Sequence, residues 1–210
     1  MPLDEKWATI EDFATLFQYF WYRDFPLDQA AIGARRSDWT IHTGIVVRNI
    51  ADLMGLVTRF ESGKRKDAVL RSAEGDEIAI EWEWGGVWGN ELKKLREHSL
   101  RPKGKERLKY AVFITYTHAR RDTPEIEGVY QYVKAKWEEE GGARWPLLLI
   151  LIDVVKVPRS EFSAGEQFKN IQMSFFNEGE KVERRELRSA PAFPWEVPGT
   201  RLSINWFNRG

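Results

Sequence analysis

Three carboxylates stand out by type and spacing: Asp67 in the run Lys66-Asp67-Ala68-Val69-Leu70, and Glu81 and Glu83 in Ile78-Ala79-Ile80-Glu81-Trp82-Glu83-Trp84. Side chains alternate along an extended strand, so Glu81 and Glu83 share one face while Ile78, Ile80, Trp82 and Trp84 share the other. A hairpin turning at Glu74-Gly75 sets Asp67 opposite Trp82 or Glu83, and three acids then converge. Like charges gathered on a half-buried sheet repel, and a fold tolerates them when a cation compensates or a proton neutralises one of them. The chain has no cysteine, which leaves oxygen or imidazole ligands, and an all-oxygen set suits Mg²⁺ or Mn²⁺. Mg²⁺ ordinarily combines one or two carboxylates with water and substrate phosphate. Asp67, Glu81 and Glu83 are therefore the expected metal ligands, and a phosphodiester is the expected substrate.

The elements that must position these acids follow from hydrophobic periodicity. Phe13, Leu16, Phe17, Phe20 and Trp21 predict a helix over Ile10 to Phe25, stopped by Pro26. Ile41, Ile45, Val46, Ile50, Leu53 and Met54 predict a second helix from Thr40 to Met54, ending near Gly55. Leu56 to Ser62, Lys66 to Ser72 and Glu77 to Trp84 read as a three-stranded meander. Helices follow at Glu91 to His98 and Glu125 to Glu140, and buried strands at Tyr110 to Tyr116 and Leu147 to Val155. The strand, helix, strand order over Tyr110 to Val155 is a crossover, which makes those two strands parallel. Beyond Pro158 the pattern weakens; Gln172 to Phe176 and Leu202 to Phe207 are the candidate strands. The expected fold is α/β, a mixed central sheet of antiparallel meander plus parallel strands, flanked by helices.

With these residues in place, the region from Thr40 to Asp153 resembles the PD-(D/E)XK nuclease superfamily, the restriction-endonuclease-like fold. That family's core runs helix, three-stranded meander, helix, strand, helix, strand, and its motif is an acid on the second meander strand followed by acid-x-Lys on the third. Asp67 matches the first acid and Glu81 the second, 14 residues on. Glu83 stands where most members carry lysine, although some restriction endonucleases also have Glu there. In other members the lysine comes from the following helix, where Lys93 and Lys94 are the candidates. The run Glu91-Leu92-Lys93-Lys94-Leu95 and the strand from Tyr110 also resemble members with an acid-Trp-acid motif. The resemblance implies Mg²⁺- or Mn²⁺-dependent hydrolysis of nucleic acid, most of all a DNA endonuclease. Asp67 and Glu81 would bind the cation, Glu83 would add a ligand or orient water, and a helix lysine would polarise the phosphate. The alternative it implies is an inactive nuclease-like domain that binds nucleic acid or a protein.

Composition narrows the remaining choices. With 32 basic and 32 acidic residues the net charge is zero, so a nucleic-acid partner must be argued from charge placement. Arg35-Arg36, Lys64-Arg65-Lys66, Lys93 to Lys109 and Arg120-Arg121 are the basic clusters that could line a phosphate track. Trp82, Trp84 and Trp88 are core residues first and base-stacking candidates second. His42, His98 and His118 fall in no ligand spacing. Glu81 and Glu83 as a glycosidase pair are disfavoured, because acids about 7 Å apart on one strand face share one environment and nothing splits their roles. No apolar run reaches the roughly 18–20 residues of a membrane span, and Met1 to Ile10 lacks an apolar signal core. The expectation is a cytoplasmic, single-domain chain with a helical extension over 1–39, a nuclease-like core over about 40–155 and a β-rich extension over 156–210. Nucleic acid, DNA foremost, is the expected partner, and a homodimer the further expectation.

Overall fold

The computed structural model describes residues 9–25, 36–62, 66–83, 89–97, 108–117, 126–139, 142–156 and 166–198. Helix α1 spans Ile10–Arg23 and starts at a reciprocal cap. Thr9 Oγ1 accepts the Asp12 N–H at 3.1 Å, and the Asp12 carboxylate accepts the Thr9 N–H at 3.4 Å. Helix α2 spans Arg36–Leu53. Gly55, at φ 70°, supplies the left-handed residue that ends it, and the Leu56 N–H returns to the Ala51 carbonyl at 2.8 Å.

Next come β1 (Val57–Ser62), β2 (Lys66–Arg71) and β3 (Asp76–Glu83), then α3 (Gly89–Glu97), β4 (Tyr110–Tyr116), α4 (Ile126–Glu138), β5 (Leu147–Lys156), β6 (Glu166–Phe176) and β7 (Arg184–Pro191). All seven strands lie in one sheet in chain order. The meander β1-β2-β3 is antiparallel, β3, β4 and β5 are parallel, and β5-β6-β7 is antiparallel again. The α/β fold with a mixed sheet flanked by helices is therefore as expected.

Two successive crossovers running the same way across a sheet, each with the usual right hand, put their helices on the same face. Accordingly α3 and α4 pack together over Ala79, Ala111, Phe113, Leu147 and Leu149. The opposite face carries Ala68, Ile78, Ile80, Val112, Ile114 and Leu148, and it is covered by α1 and α2. β4 is buried along its whole length, which explains its unbroken apolar sequence.

Three differences from the expectation have physical causes. Helix α2 begins at Arg36, four residues early, and its buried stripe is Trp39, His42, Thr43, Val46, Val47 and Ile50. Ile41, Ile45 and Leu53, counted above as its apolar face, are exposed. β6 is longer than Gln172 to Phe176, and β7 has no apolar alternation to betray it. β7 is an edge strand of mostly exposed or half-buried residues, paired to β6 through the backbone. The candidate strand Leu202 to Phe207 lies outside the described residues.

Candidate functional site

The β2-β3 hairpin turns more tightly than supposed. Ala68 pairs with Ile80 and Leu70 with Ile78, and a bulge between Leu70 and Arg71 absorbs the odd residue. The Ser72 hydroxyl stiffens the turn, donating to Glu77 Oε1 at 2.6 Å and accepting the Glu74 N–H at 3.0 Å. Continuing this register by one step places Asp67 opposite Glu81, where the sequence reading had set it opposite Trp82 or Glu83. The side of β2 and β3 that carries Val69 and Ala79 faces α3, so by alternation Asp67, Glu81 and Glu83 lie on the α3 side.

Each acid meets a different environment. Asp67 is half-buried, and its Oδ2 accepts the Trp82 backbone N–H at 2.7 Å. Burial pushes its pKa up, and Glu83 and Glu91 add to that, while the Trp82 N–H and the Lys94 ammonium oppose it. Glu81 is only 1% exposed. Its Oε2 lies 3.3 Å from Lys94 Nζ, and its Oε1 has no hydrogen-bond partner. Burial first, then the neighbouring Asp67, raises the Glu81 pKa to about 8, against the pull of Lys94 and Lys66. Glu81 is thus mostly protonated at neutral pH in the metal-free protein. Glu83 is half-buried at the end of β3, where the Thr115 hydroxyl donates to its backbone carbonyl at 2.8 Å.

Helix α3 supplies the cation. Leu92 and Leu95, both buried, seat the helix on the sheet, and the same face then carries Glu91 and Lys94 toward β3. Lys94 reaches Glu81 and also lies 3.9 Å from Glu91 Oε1, three residues back. Lys93 is exposed. Of the two candidate lysines, Lys94 is the one brought to the acids.

Two residues that bear on these acids escaped the sequence reading. Glu91 has a buried Oε2 without a hydrogen-bond partner and contributes to the raised Asp67 pKa. Lys66, assigned above to a surface basic cluster, is fully buried. Its signal was strand parity, since Lys66 alternates with Ala68 and Leu70 onto the face covered by α1 and α2, behind the acids, from where its charge still lowers the Glu81 pKa.

Other singled-out residues fall away from the site. Trp82 packs with the α1/α2 core and meets Phe60 edge-on, ring centroids 6.4 Å apart. His42 is buried among Trp21, Phe25 and Trp39. Asp153 is buried but satisfied, accepting from the Thr117 hydroxyl at 2.8 Å, and that hydroxyl accepts the Val154 N–H at 2.7 Å. Arg35, Lys64, Arg65, Arg120 and Arg121, the stretch 98–107, Trp84, Trp88, His98 and His118 lie outside the described residues.

An all-carboxylate set such as Asp67, Glu81 and Glu83 would suit a hard cation. Among the described residues no group of three or more acids or histidines is gathered tightly enough to enclose a metal. No helix among the described residues is long and apolar enough to cross a membrane. No family model, no curated protein and no solved structure matches the chain.

Proposed function

We propose that this chain is a divalent-cation-dependent nuclease of the PD-(D/E)XK kind, acting on DNA, with its centre at Asp67 and Glu81. The observation that carries the reading is Glu81: a buried carboxyl group with one oxygen lacking a hydrogen-bond partner, set beside a second acid and a lysine. A fold gains no stability from such a group, because burying an ionisable carboxyl without full hydrogen bonding is costly. Retaining it at the covered end of a strand, next to Asp67, fits a ligand function. Asp67 and Glu81 would hold Mg²⁺ or Mn²⁺, with Glu83 and Glu91 as the neighbouring acids. A bound divalent cation supplies charge stabilisation at phosphorus and eases deprotonation of water. Lys94, 35% exposed and tethered by Glu81 and Glu91, can turn its ammonium toward a phosphate, the role left open by Glu83.

The test is cleavage of plasmid DNA with Mg²⁺ or Mn²⁺ against EDTA, in the wild type and in Asp67→Asn, Glu81→Gln, Lys94→Ala and Lys93→Ala. Asparagine is chosen at Asp67 because its side-chain oxygen can still accept the Trp82 N–H. Cleavage should need the cation, fall at least about a hundredfold in the first three variants and persist in Lys93→Ala. Equal cleavage by wild type and Glu81→Gln would sink the reading. A second reading rests on the Lys94 contact: an ammonium already beside Glu81 compensates the acids without any metal, as in an inactive nuclease-like module. DNA binding that is indifferent to the cation and gives no cleavage supports that module.

A further inference from the structure

The two edges of the sheet are finished differently. On β7, Arg184 pairs with Glu127 of α4 at 3.5 Å, Arg185 with Glu11 of α1 at 2.6 Å, and Arg188 donates to Gln18 and Thr15 of α1. That edge is tied to its own helices. On β1 the corresponding charges, Arg59 and Glu61, are exposed and have no hydrogen-bond or ion-pair partner among the described residues. Between them Phe60 is 47% exposed on the α2 side, its ring over Gly44, where a Cβ would lie 3.8 Å from it. Ile41 and Ile45, one helical turn apart on α2, are 62% and 45% exposed. Together they make an apolar patch beside a strand edge that is unpaired among the described residues, with an opposite-charge pair on the other face.

We infer that β1 and the Ile41, Ile45 and Phe60 patch form a two-fold interface with a second copy of this chain. The occupant follows from self-complementarity. An antiparallel approach with the axis through Phe60 sets Phe60 opposite the partner's Phe60. It also sets Arg59 opposite the partner's Glu61 and, by symmetry, Glu61 opposite the partner's Arg59. One operation thus covers the apolar patch and pairs both charges, twice. An axis through Arg59 would instead oppose two arginines, so the register is specified. Glu61, at φ 49°, keeps its place in the strand, because Phe60 stays opposite Ala68 and Ser62 opposite Lys66 with no shift of register, so the order Arg59-Phe60-Glu61 along the edge is preserved.

The experiment is sedimentation equilibrium of the full chain from micromolar to hundreds of micromolar, with circular dichroism confirming that each variant is folded. The wild type should associate to a dimer, more weakly at high salt. Phe60→Glu should weaken association more than about thirtyfold, as loss of a central aromatic does. Arg59→Glu alone should weaken it about tenfold, and Arg59→Glu with Glu61→Arg should restore it, because the reversed charges again face their opposites. A wild type that stays monomeric throughout overturns the interface. So does a dimer indifferent to Phe60→Glu, or a double swap that fails to recover. None of these outcomes depends on catalysis.

Discussion

At the scale of the residue, the site is governed by the cost of burying carboxyl groups. Glu81 has an ordinary pKa near 4.5 when unfolded and about 8 in the fold, so the folded state holds the extra proton between those values. The penalty for ionising it in the fold is therefore absent below about pH 4.5, grows as pH rises toward 8, and levels off above. In EDTA, Glu81→Gln should be progressively more stable than the wild type across that window, with a slope of up to about 1.4 kcal/mol per pH unit. Urea melts at pH 5 and pH 8 measure it, and a constant difference between the two proteins would refute it. His42 has the opposite sign. Burial among Trp21, Phe25 and Trp39 lowers its pKa from 6.5 to about 4, against the weak pull of Asp24, and its Nε2 lacks a hydrogen-bond partner. The folded state then resists protonation, and stability should fall as pH drops from 6.5 toward 4. Acid titrations of folding should show this limb flattened in His42→Leu; an unchanged limb would locate the acid sensitivity elsewhere.

Among the elements, α3 decides which residues meet. Leu92 and Leu95 rest on the sheet over Ala79, whose small side chain lies two positions before Glu81 on the same face. That packing aims Lys94 and Glu91 at β3 and leaves Lys93 exposed. Leu95→Ala should cost about 2–4 kcal/mol by opening a cavity under the helix. It should also admit water near Glu81 and bring the pH window of the metal-free protein down from 8. Denaturation of Leu95→Ala across pH checks both effects. A full stability loss with an unmoved window would mean that α3 does not seal Glu81.

For the whole molecule, the sheet order explains why the acids gather at one end of the meander. β3 is antiparallel to β2 and parallel to β4, so its acids sit where the hairpin meets the first crossover helix. Both adjoining connections are local in sequence, which makes this part of the fold the most legible. The meander, the parallel pair and the helices on either side were all readable from the chain. The charge total was not informative: 32 of each sign averages over a β7 edge tied to α1 and α4 and a β1 edge that is unpaired among the described residues.

The sequence by itself determined which residues alternate to which face. Period-two alternation in β3 put Glu81 and Glu83 together, and the apolar runs of β4 and β5 marked buried parallel strands, because both signals are local backbone geometry. Only the tertiary structure decided the partners. The bulge at Leu70/Arg71 moved Asp67 opposite Glu81, and the docking of α3 selected Lys94 and recruited Glu91. The covered face buried Lys66, and the edge position of β7 let a polar segment become a strand. Each of these depends on contacts between elements, whose balance of packing, charge and hydrogen bonding no local pattern carries.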